Sequence, residues 1–381
     1  MEKHVVIIDF NHMLFNYFFS QHRLSIKVVV NGEVEDKDTT VQNGTLKNIY
    51  KWSNRGANPT AVCFDRPVPA RKKFFQEAFP GMEIGSGKEY KGNRERMPET
   101  MYTASKDVAN ILQTAGVSCF AKDGFESDDL IFACINWAKV NYPGMHIDVV
   151  TNDADLLPLV DDTVSVYLRS KKGTFSEDKA FEKNHYIEVT PRNFQQVVEG
   201  LSAYKGFVIP YNCLLLHKLL RGDSSDQFGS KLIYSKFSPK KWNAMIESMI
   251  DDGFDFSNGF RYGAPVVKIL RRSTGEVFEG TKQEALERED RADFYQKVCN
   301  PVELDSIIDT LRKYSQLNEE ELEIVEKIYW GMNLNMIYPN KDKKYARLSY
   351  SLAEDNQTVH PFSEFDLNSA ASSLQIRLIR A

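Results

Sequence analysis

Val5-Val6-Ile7-Ile8-Asp9, Ala61-Val62-Cys63-Phe64-Asp65 and Ile147-Asp148-Val149-Val150-Thr151-Asn152-Asp153 are three apolar, β-branched runs, each ending in an acid. Such runs suit strands of a parallel sheet buried on both faces. Ligands of an open α/β sheet bind outside the carboxyl ends of its strands, so the three terminal acids are expected to converge. Convergent anions raise one another's pKa unless a cation neutralises them. Further acids follow the same habit. Glu126, Asp128 and Asp129 open a helical pattern, Asp155 follows Asp153, and Asp223 and Asp226 bracket two serines, giving nine carboxylates in five clusters. Oxygen donors without Cys or His point to Mg²⁺ or Mn²⁺ rather than zinc. Taken singly, each acid reads more readily as a solvated strand end or a helix N-cap, since Asp is mostly exposed. It is the repetition of the placement that favours a metal site.

The 381 residues suffice for a full α/β core and a second, smaller region. The five cysteines are widely spaced and form no CxxC, so neither a disulfide framework nor a zinc site is suggested, and a reducing cytoplasm fits. No apolar run approaches the roughly 18 residues of a spanning helix, and Asp9, Asn11 and His12 break the apolar start. Neither membrane nor export is implied. A formal net charge of −5 becomes +4 once the nine candidate metal acids are set aside, so net charge does not exclude a nucleic-acid partner. Grouping of Lys and Arg on one face matters more.

Residues 1 to 170 alternate between the two periodicities. Strands are expected at 4–9, 60–65, 117–121, 147–151 and 164–168, and helices at 41–54, 99–115 and 127–141. The expected fold is α/β, a central mostly parallel sheet flanked by helices. Farther on, Thr190 is placed to cap a helix begun by Pro191, and helices are expected at 212–221, 239–251, 301–315 and 318–331, the last opened by Asn318. Residues 262–280 read as a small hairpin turning at Thr274-Gly275.

The segment 66–98 differs from its surroundings. Arg71, Lys72, Lys73, Lys88, Lys91, Arg94 and Arg96 are interleaved with Phe74, Phe75, Phe79 and Tyr90. Basic groups mixed with aromatics are what a single-stranded nucleic-acid channel needs, for phosphates and for base stacking. Composition alone leaves a solvated, partly helical surface loop equally open.

In order, these clusters resemble the 5′-nuclease superfamily of 5′→3′ exonucleases, phage-type ribonucleases H and flap endonucleases. Asp9 and Phe64-Asp65 match its two early strand ends. Tyr90-Lys91-Gly92-Asn93-Arg94 with Met97-Pro98-Glu99 looks like its YKxxR…MPE segment, and Glu126-Ser127-Asp128-Asp129 like its E-A-D-D helix start. Thr151-Asn152-Asp153-Ala154-Asp155-Leu156-Leu157-Pro158-Leu159-Val160 resembles T-G-D-x-D-L-x-x-L-V, and Gly222-Asp223-Ser224-Ser225-Asp226 resembles G-D-x-S-D. The resemblance covers residues 4–231.

The resemblance implies a PIN-like core at 1–188 with a helical arch at 66–98 and a shortened helix-hairpin-helix region at 189–236, and it leaves 237–381, mainly helical by its pattern, as a region of unknown role. It implies two Mg²⁺ ions, replaceable by Mn²⁺, about 3.5–4 Å apart. Asp9, Asp65, Glu126 and Asp128 would form one ligand group, and Asp129, Asp153, Asp155, Asp223 and Asp226 the other, directly or through water. Lys91 and Arg94 would contact the scissile phosphate, and Tyr90 would stack on a base. Arg71, Lys72, Lys88 and Arg96 would hold the strand. The implied substrates are DNA with 5′ single-stranded flaps or ends and RNA-DNA hybrids, with replication proteins as candidate partners and a monomer as the default state.

The match weakens after Asp226. Gln227-Phe228-Gly229-Ser230-Lys231 keeps only the closing G-x-K, with Gly229 and Lys231 left to grip duplex DNA, so the hairpin looks shortened and a K⁺ site there is doubtful. Two rivals to a flap nuclease stand: a PIN-like ribonuclease, and a non-catalytic binder of DNA junctions.

Overall fold

The computed structural model describes residues 4–19, 24–30, 33–66, 69–78, 97–169, 182–183, 186–222, 229–263, 266–280, 282–299, 301–334, 337–339, 345–347, 352–353 and 356–373. In chain order the first elements are β1 (His4–Asp9), α1 (Phe10–Phe18), β2 (Ser25–Val30), β3 (Glu33–Asp38), α2 (Thr40–Trp52), β4 (Thr60–Cys63), α3 (Pro69–Ala78) and α4 (Glu99–Thr114). Then come β5 (Ser118–Phe120), α5 (Ser127–Asn141), β6 (His146–Thr151), β7 (Val164–Arg169), β8 (Glu182–Lys183), β9 (Tyr186–Val189) and α6 (Phe194–Gly200). The remainder is α7 (Leu214–Arg221), α8 (Lys231–Lys236), α9 (Pro239–Asp251), β10 (Val266–Arg271), α10 (Lys282–Glu287), β11 (Phe294–Cys299), α11 (Val302–Tyr314), α12 (Glu319–Met332), β12 (Ile337–Pro339), β13 (Tyr345–Arg347) and α13 (Glu364–Ser373).

Two compact units divide the chain: residues 1–70, 91–211 and 350–381 in one, and 71–90 and 212–349 in the other. The first unit is built on a seven-stranded sheet of order β5-β4-β1-β6-β7-β9-β8. β5 through β7 are all parallel, and β9 and β8 close the edge antiparallel. The fold class expected from the sequence is therefore the one observed. Alternation across the pleat explains why the runs are apolar throughout. Val6, Ile8, Val62 and Val150 share one core with Leu46, Trp52, Met101, Val108 and Ile111 from α2 and α4. The intervening residues turn to the other face, where Cys63 meets Cys134 of α5 at 3.9 Å between sulfurs. Burying each such aliphatic side chain contributes about 1.5–3 kcal/mol, which is why β1, in the middle, tolerates a charge only at its end.

Several elements differ from expectation. β2 and β3 form an unforeseen hairpin, and the expected hairpin at 262–280 is present in short form, with Leu270 bridging antiparallel to Val277 across the Thr274-Gly275 turn, while β10 also pairs along its whole length with the distant β11. Pro191 does not start a helix. Residues 191–193 form a turn, Asn193 Oδ1 accepts from Thr190 N at 2.8 Å, and α6 begins at Phe194. Residues 356–373, read with the C-terminal region, return to the first unit. There His360 bridges to Thr60, Tyr142 Oη donates to Val359 O at 2.8 Å, and Phe362 N donates to Gly56 O at 3.0 Å. Phe362, Leu367 and Ala371 join the core.

The second unit packs apolar helix faces: Leu215 and Leu219 of α7, Trp242 and Met249 of α9, Leu304 and Ile307 of α11, and Val325 and Tyr329 of α12 are buried. Asn318 and Glu321 form a reciprocal capping box at the start of α12, as its sequence suggests. Among the described residues no helix is long and apolar enough to cross a membrane.

The return of the C-terminal segment leaves a testable mark at Gly56. Its φ is +82°, and a Cβ there would fall on the carbonyl oxygen of Phe362. Gly56→Ala is expected to destabilise the first unit by about 2–3 kcal/mol, read as a lower urea midpoint. An unchanged midpoint would mean the segment does not dock as described.

Candidate active site

Asp9 is the last residue of β1 and the N-cap of α1, so a central strand hands its terminal carboxylate directly to a helix start. Its Oδ1 accepts weakly from His12 N at 3.4 Å, and its Oδ2 accepts from Thr151 Oγ1 at 2.9 Å. Thr151 ends the neighbouring strand β6, and the same hydroxyl accepts from Asp153 N at 3.0 Å. Asp153 in turn caps a short 3₁₀ turn, with its Oδ1 accepting from Asp155 N at 2.8 Å. One hydroxyl thus ties the ends of β1 and β6 together.

Asp65 lies just beyond β4 on the other side of β1. Asn11 Nδ2 donates to its Oδ2 at 2.6 Å, and Ser127 N donates to its Oδ1 at 2.8 Å. Ser127 is the first residue of α5, so Asp65 takes up one of the helix's unsatisfied N–H groups in the favourable end of its dipole. Glu126 is the N-cap of that helix, and its backbone N donates to Asp129 Oδ2 at 3.0 Å in a capping box. Asp129 is buried with one oxygen engaged in the helix start, whereas Asp128 is half-buried on the first turn.

The electrostatics centre on Asp9. Burial, then the charges of Asp65 and Asp153, push its carboxyl up to about 7 against the lowering effect of the Thr151 hydrogen bond. Among the described residues no basic side chain pairs with it, and no three His, Cys, Asp or Glu side chains stand close enough to enclose one ion. The donor set nevertheless suits a hard cation: all oxygens, partly buried, converging from three parallel strand ends, with an uncompensated negative charge at the centre.

Asp9, Asp65, Glu126, Asp128, Asp129, Asp153 and Asp155 thus lie at one edge of the first unit. Asp223 and Asp226, and Lys88, Tyr90, Lys91, Arg94 and Arg96, lie outside the described residues. Lys72 is exposed on α3, but Arg71 is only 5% exposed, a burial that fits packing rather than an open strand contact. In the second unit Lys231 opens α8 and is exposed. Gly229 has φ +131°, and a Cβ on it would come within 2.7 Å of Gly222 Cα. This close approach draws together the two ends of the G-D-S-S-D-Q-F-G segment. Sequence reading missed Asn11, Ser127 and Thr151 as groups that orient the acids. Asn11 and Thr151 stood two positions from an expected ligand, the only signal available.

Comparison with known proteins agrees with this geometry. Residues 4–185 match the family described as 5′-3′ exonuclease, N-terminal resolvase-like domain. A 5′-3′ exonuclease of Buchnera aphidicola is 27% identical over 184 residues, 48% of this chain and 57% of the relative. A DNA polymerase I of Mycobacterium tuberculosis is 35% identical over 254 residues, 65% of this chain and 24% of the relative. The chain therefore spans little more than half of the first and about a quarter of the second. Among solved structures, T5 5′-exonuclease with bound zinc aligns over 87% of this chain and 98% of its own at 15% identity and a TM-score of 0.40. The catalytic core of Rad2 with DNA substrate covers 98% of this chain and 88% of its own at 11% identity and 0.37. Likenesses this loose add nothing to the fold, which stands on the sheet order itself. Through this match and the ordered acids at its strand ends, residues 4–185 form a domain similar to the N-terminal domain of 5′-3′ exonucleases.

The raised Asp9 carboxyl has a signed consequence for the metal-free protein. Its folded pKa of about 7 lies above the ordinary 3.8, so its contribution is fully present below pH 3.8 and is lost as pH rises through 7. Metal-free protein is therefore expected to lose stability between pH 4 and pH 8, and Asp9→Asn to flatten that loss by on the order of 4 kcal/mol. Urea denaturation in EDTA at both pH values measures it, and parallel profiles for the two proteins would contradict it.

Proposed function

We propose that this protein is a divalent-metal-dependent 5′-nuclease that hydrolyses phosphodiester bonds at 5′ single-stranded ends or flaps. One observation carries the reading: the buried Asp9 carboxyl lies against two further acids at the carboxyl edge of a parallel sheet, an arrangement that repels itself until a cation joins it. The activity of similar proteins, 5′-3′ exonucleases, supplies the reaction class.

Asp9, Asp65, Glu126 and Asp128 would hold one Mg²⁺, and Asp129, Asp153, Asp155, Asp223 and Asp226 a second, with Mn²⁺ as a substitute. Mg²⁺ keeps several waters, which suits acids that, among the described residues, do not close directly on one ion. When bound, such ions polarise the phosphoryl oxygens and lower the pKa of an attacking water. The chain's own residues do the positioning. Thr151 orients Asp9, and Asn11 with Ser127 N orients Asp65, so that the acids meet cation and phosphate with little rearrangement. Lys91 and Arg94 would stabilise charge growing on the scissile phosphate, and Tyr90 would stack on a terminal base. Lys72, Lys88 and Arg96 would hold the single strand by phosphate contacts, and Gly229 with Lys231 the duplex. Removal of flaps or RNA primers in replication or repair is the corresponding cellular task.

Two experiments test this. Addition of Mg²⁺ to the protein at pH 6.5 in weak buffer is expected to release protons, because the cation returns Asp9 to its ionised form; absence of release would remove the electrostatic support. In the second, a 5′-flap duplex labelled at either end is incubated with Mg²⁺ or EDTA beside Asp153→Asn and Lys91→Ala. Expected are cleavage near the junction only with Mg²⁺, a loss of about 100-fold in Asp153→Asn, and lowered turnover at saturating DNA in Lys91→Ala. Binding without cleavage under any divalent ion would establish the junction binder instead.

A further inference from the structure

Beyond the acidic edge, the first unit holds a cavity of about 210 Å³ between α1, α2 and the facing ends of β7 and β9. Three cations line it: Lys47 and Lys51, one helical turn apart on α2, and Arg169, the last residue of β7. All three are exposed, and among the described residues none pairs with a carboxylate. Surface cations usually meet an acid or spread apart, and three around one concavity focus positive potential into it.

The rest of the wall is shaped for a polar guest. Arg169 Nη1 donates to Asn16 Oδ1, which orients the guanidinium. The Asn16 amide also donates to Tyr186 Oη at 3.0 Å, and Tyr186 meets His12 Nε2 at 2.9 Å. Tyr17 lies across α2 where Gly44 leaves room, since a Cβ at Gly44 would fall on its ring. An aromatic face thus stands beside the cations.

Volume narrows the guest. At about 30 Å³ per water the cavity holds roughly seven waters, below the 300 Å³ or so of pockets that enclose a whole small-molecule ligand. That room suits a phosphate with part of its sugar. The location relates it to the acids: α1 runs from Asp9 to the cavity residue Asn16, seven residues or roughly 10 Å of helix. Arg169 ends β7 at the same carboxyl edge as Thr151, its near neighbour in register. A span of roughly 10 Å is about three nucleotides at 3.4 Å each along one strand.

We propose that Lys47, Lys51 and Arg169 form a phosphate-binding pocket that seats a backbone phosphate of the nucleic-acid substrate a few nucleotides from the cleavage position. This rests on the nuclease reading and adds to it a second anchor that fixes how far along the strand the cut falls. The pocket holds the sugar-phosphate backbone and reads no base, so it accepts any sequence.

The test compares the parent with Lys47→Ala/Lys51→Ala, two exposed side chains whose removal spares the core. Binding of a 5′-flap duplex is measured in EDTA between 50 and 200 mM salt, with inorganic phosphate titrated separately and the parent's cleavage assayed with Mg²⁺. Loss of two phosphate contacts should lower the slope of log K against log salt by roughly 1.4–1.8, so that this salt range costs the variant roughly tenfold less affinity than the parent. Its cleavage positions on a labelled flap should also spread over neighbouring nucleotides. A parent that binds and cuts, with a variant of equal slope and equal cleavage pattern, overturns the pocket while sparing the nuclease. A parent that neither binds nor cuts overturns both. Inorganic phosphate bound by the parent and lost in the variant, with strand affinity unchanged, assigns the pocket to a free anion and overturns the strand assignment.

Discussion

Asp9 ends a central strand whose two neighbours lead into acids of their own, and parallel pairing leaves those three ends no way to avoid one another. The register is fixed along each run, with Asp9 opposite Cys63 and Ile8 opposite Val150, so the chain continues from each strand into the same edge. Slipping a strand by one residue would exchange its two faces and unpack both cores. Repulsion at the edge is therefore imposed by the apolar packing of the middle. Folding accepts a buried carboxyl pushed up to about 7 because the apolar packing of the strands and helices holds it there, and a divalent cation would turn that liability into a site.

The groups around the acids follow from the same constraint. An acid meant to meet a cation has to be oriented without being neutralised, and amide, hydroxyl and backbone N–H donors do this where Lys or Arg would compete for the charge. Asn11, Ser127 N and Thr151 are all of that kind. Among the described residues, Lys47, Lys51 and Arg169 stand instead around the cavity lined by α2 and β7, where grouped positive charge suits a polyanion.

Much of this was legible because the decisive signals are local. β1, β4 and β6 are continuous β-branched runs, and each acid cluster is adjacent in sequence to the element that carries it. The unforeseen parts depend on distance along the chain. β10 finds its full-length partner β11 across more than twenty residues, in addition to the short return that the local Thr274-Gly275 turn makes. Residues 356–373 pack on α4 and β4 with no nearby pattern to announce it. The β2–β3 hairpin hides because Glu33–Asp38 is charged on both faces, so alternation is invisible. Thr151 read as the end of a strand and the first residue of a motif. Its hydroxyl bridge between Asp9 and Asp153 exists only once β6 lies beside β1.

Everything above turns on whether these strand-end acids form a cation site. Crystals of the protein grown with Mn²⁺, examined by anomalous diffraction, test it most directly. The account predicts anomalous peaks beside Asp9, Asp65 and Asp153, weakened or lost when Asp9 is replaced by Asn. Mn²⁺ peaks confined to other surfaces, with the Asp9 edge empty at saturating metal, would contradict it.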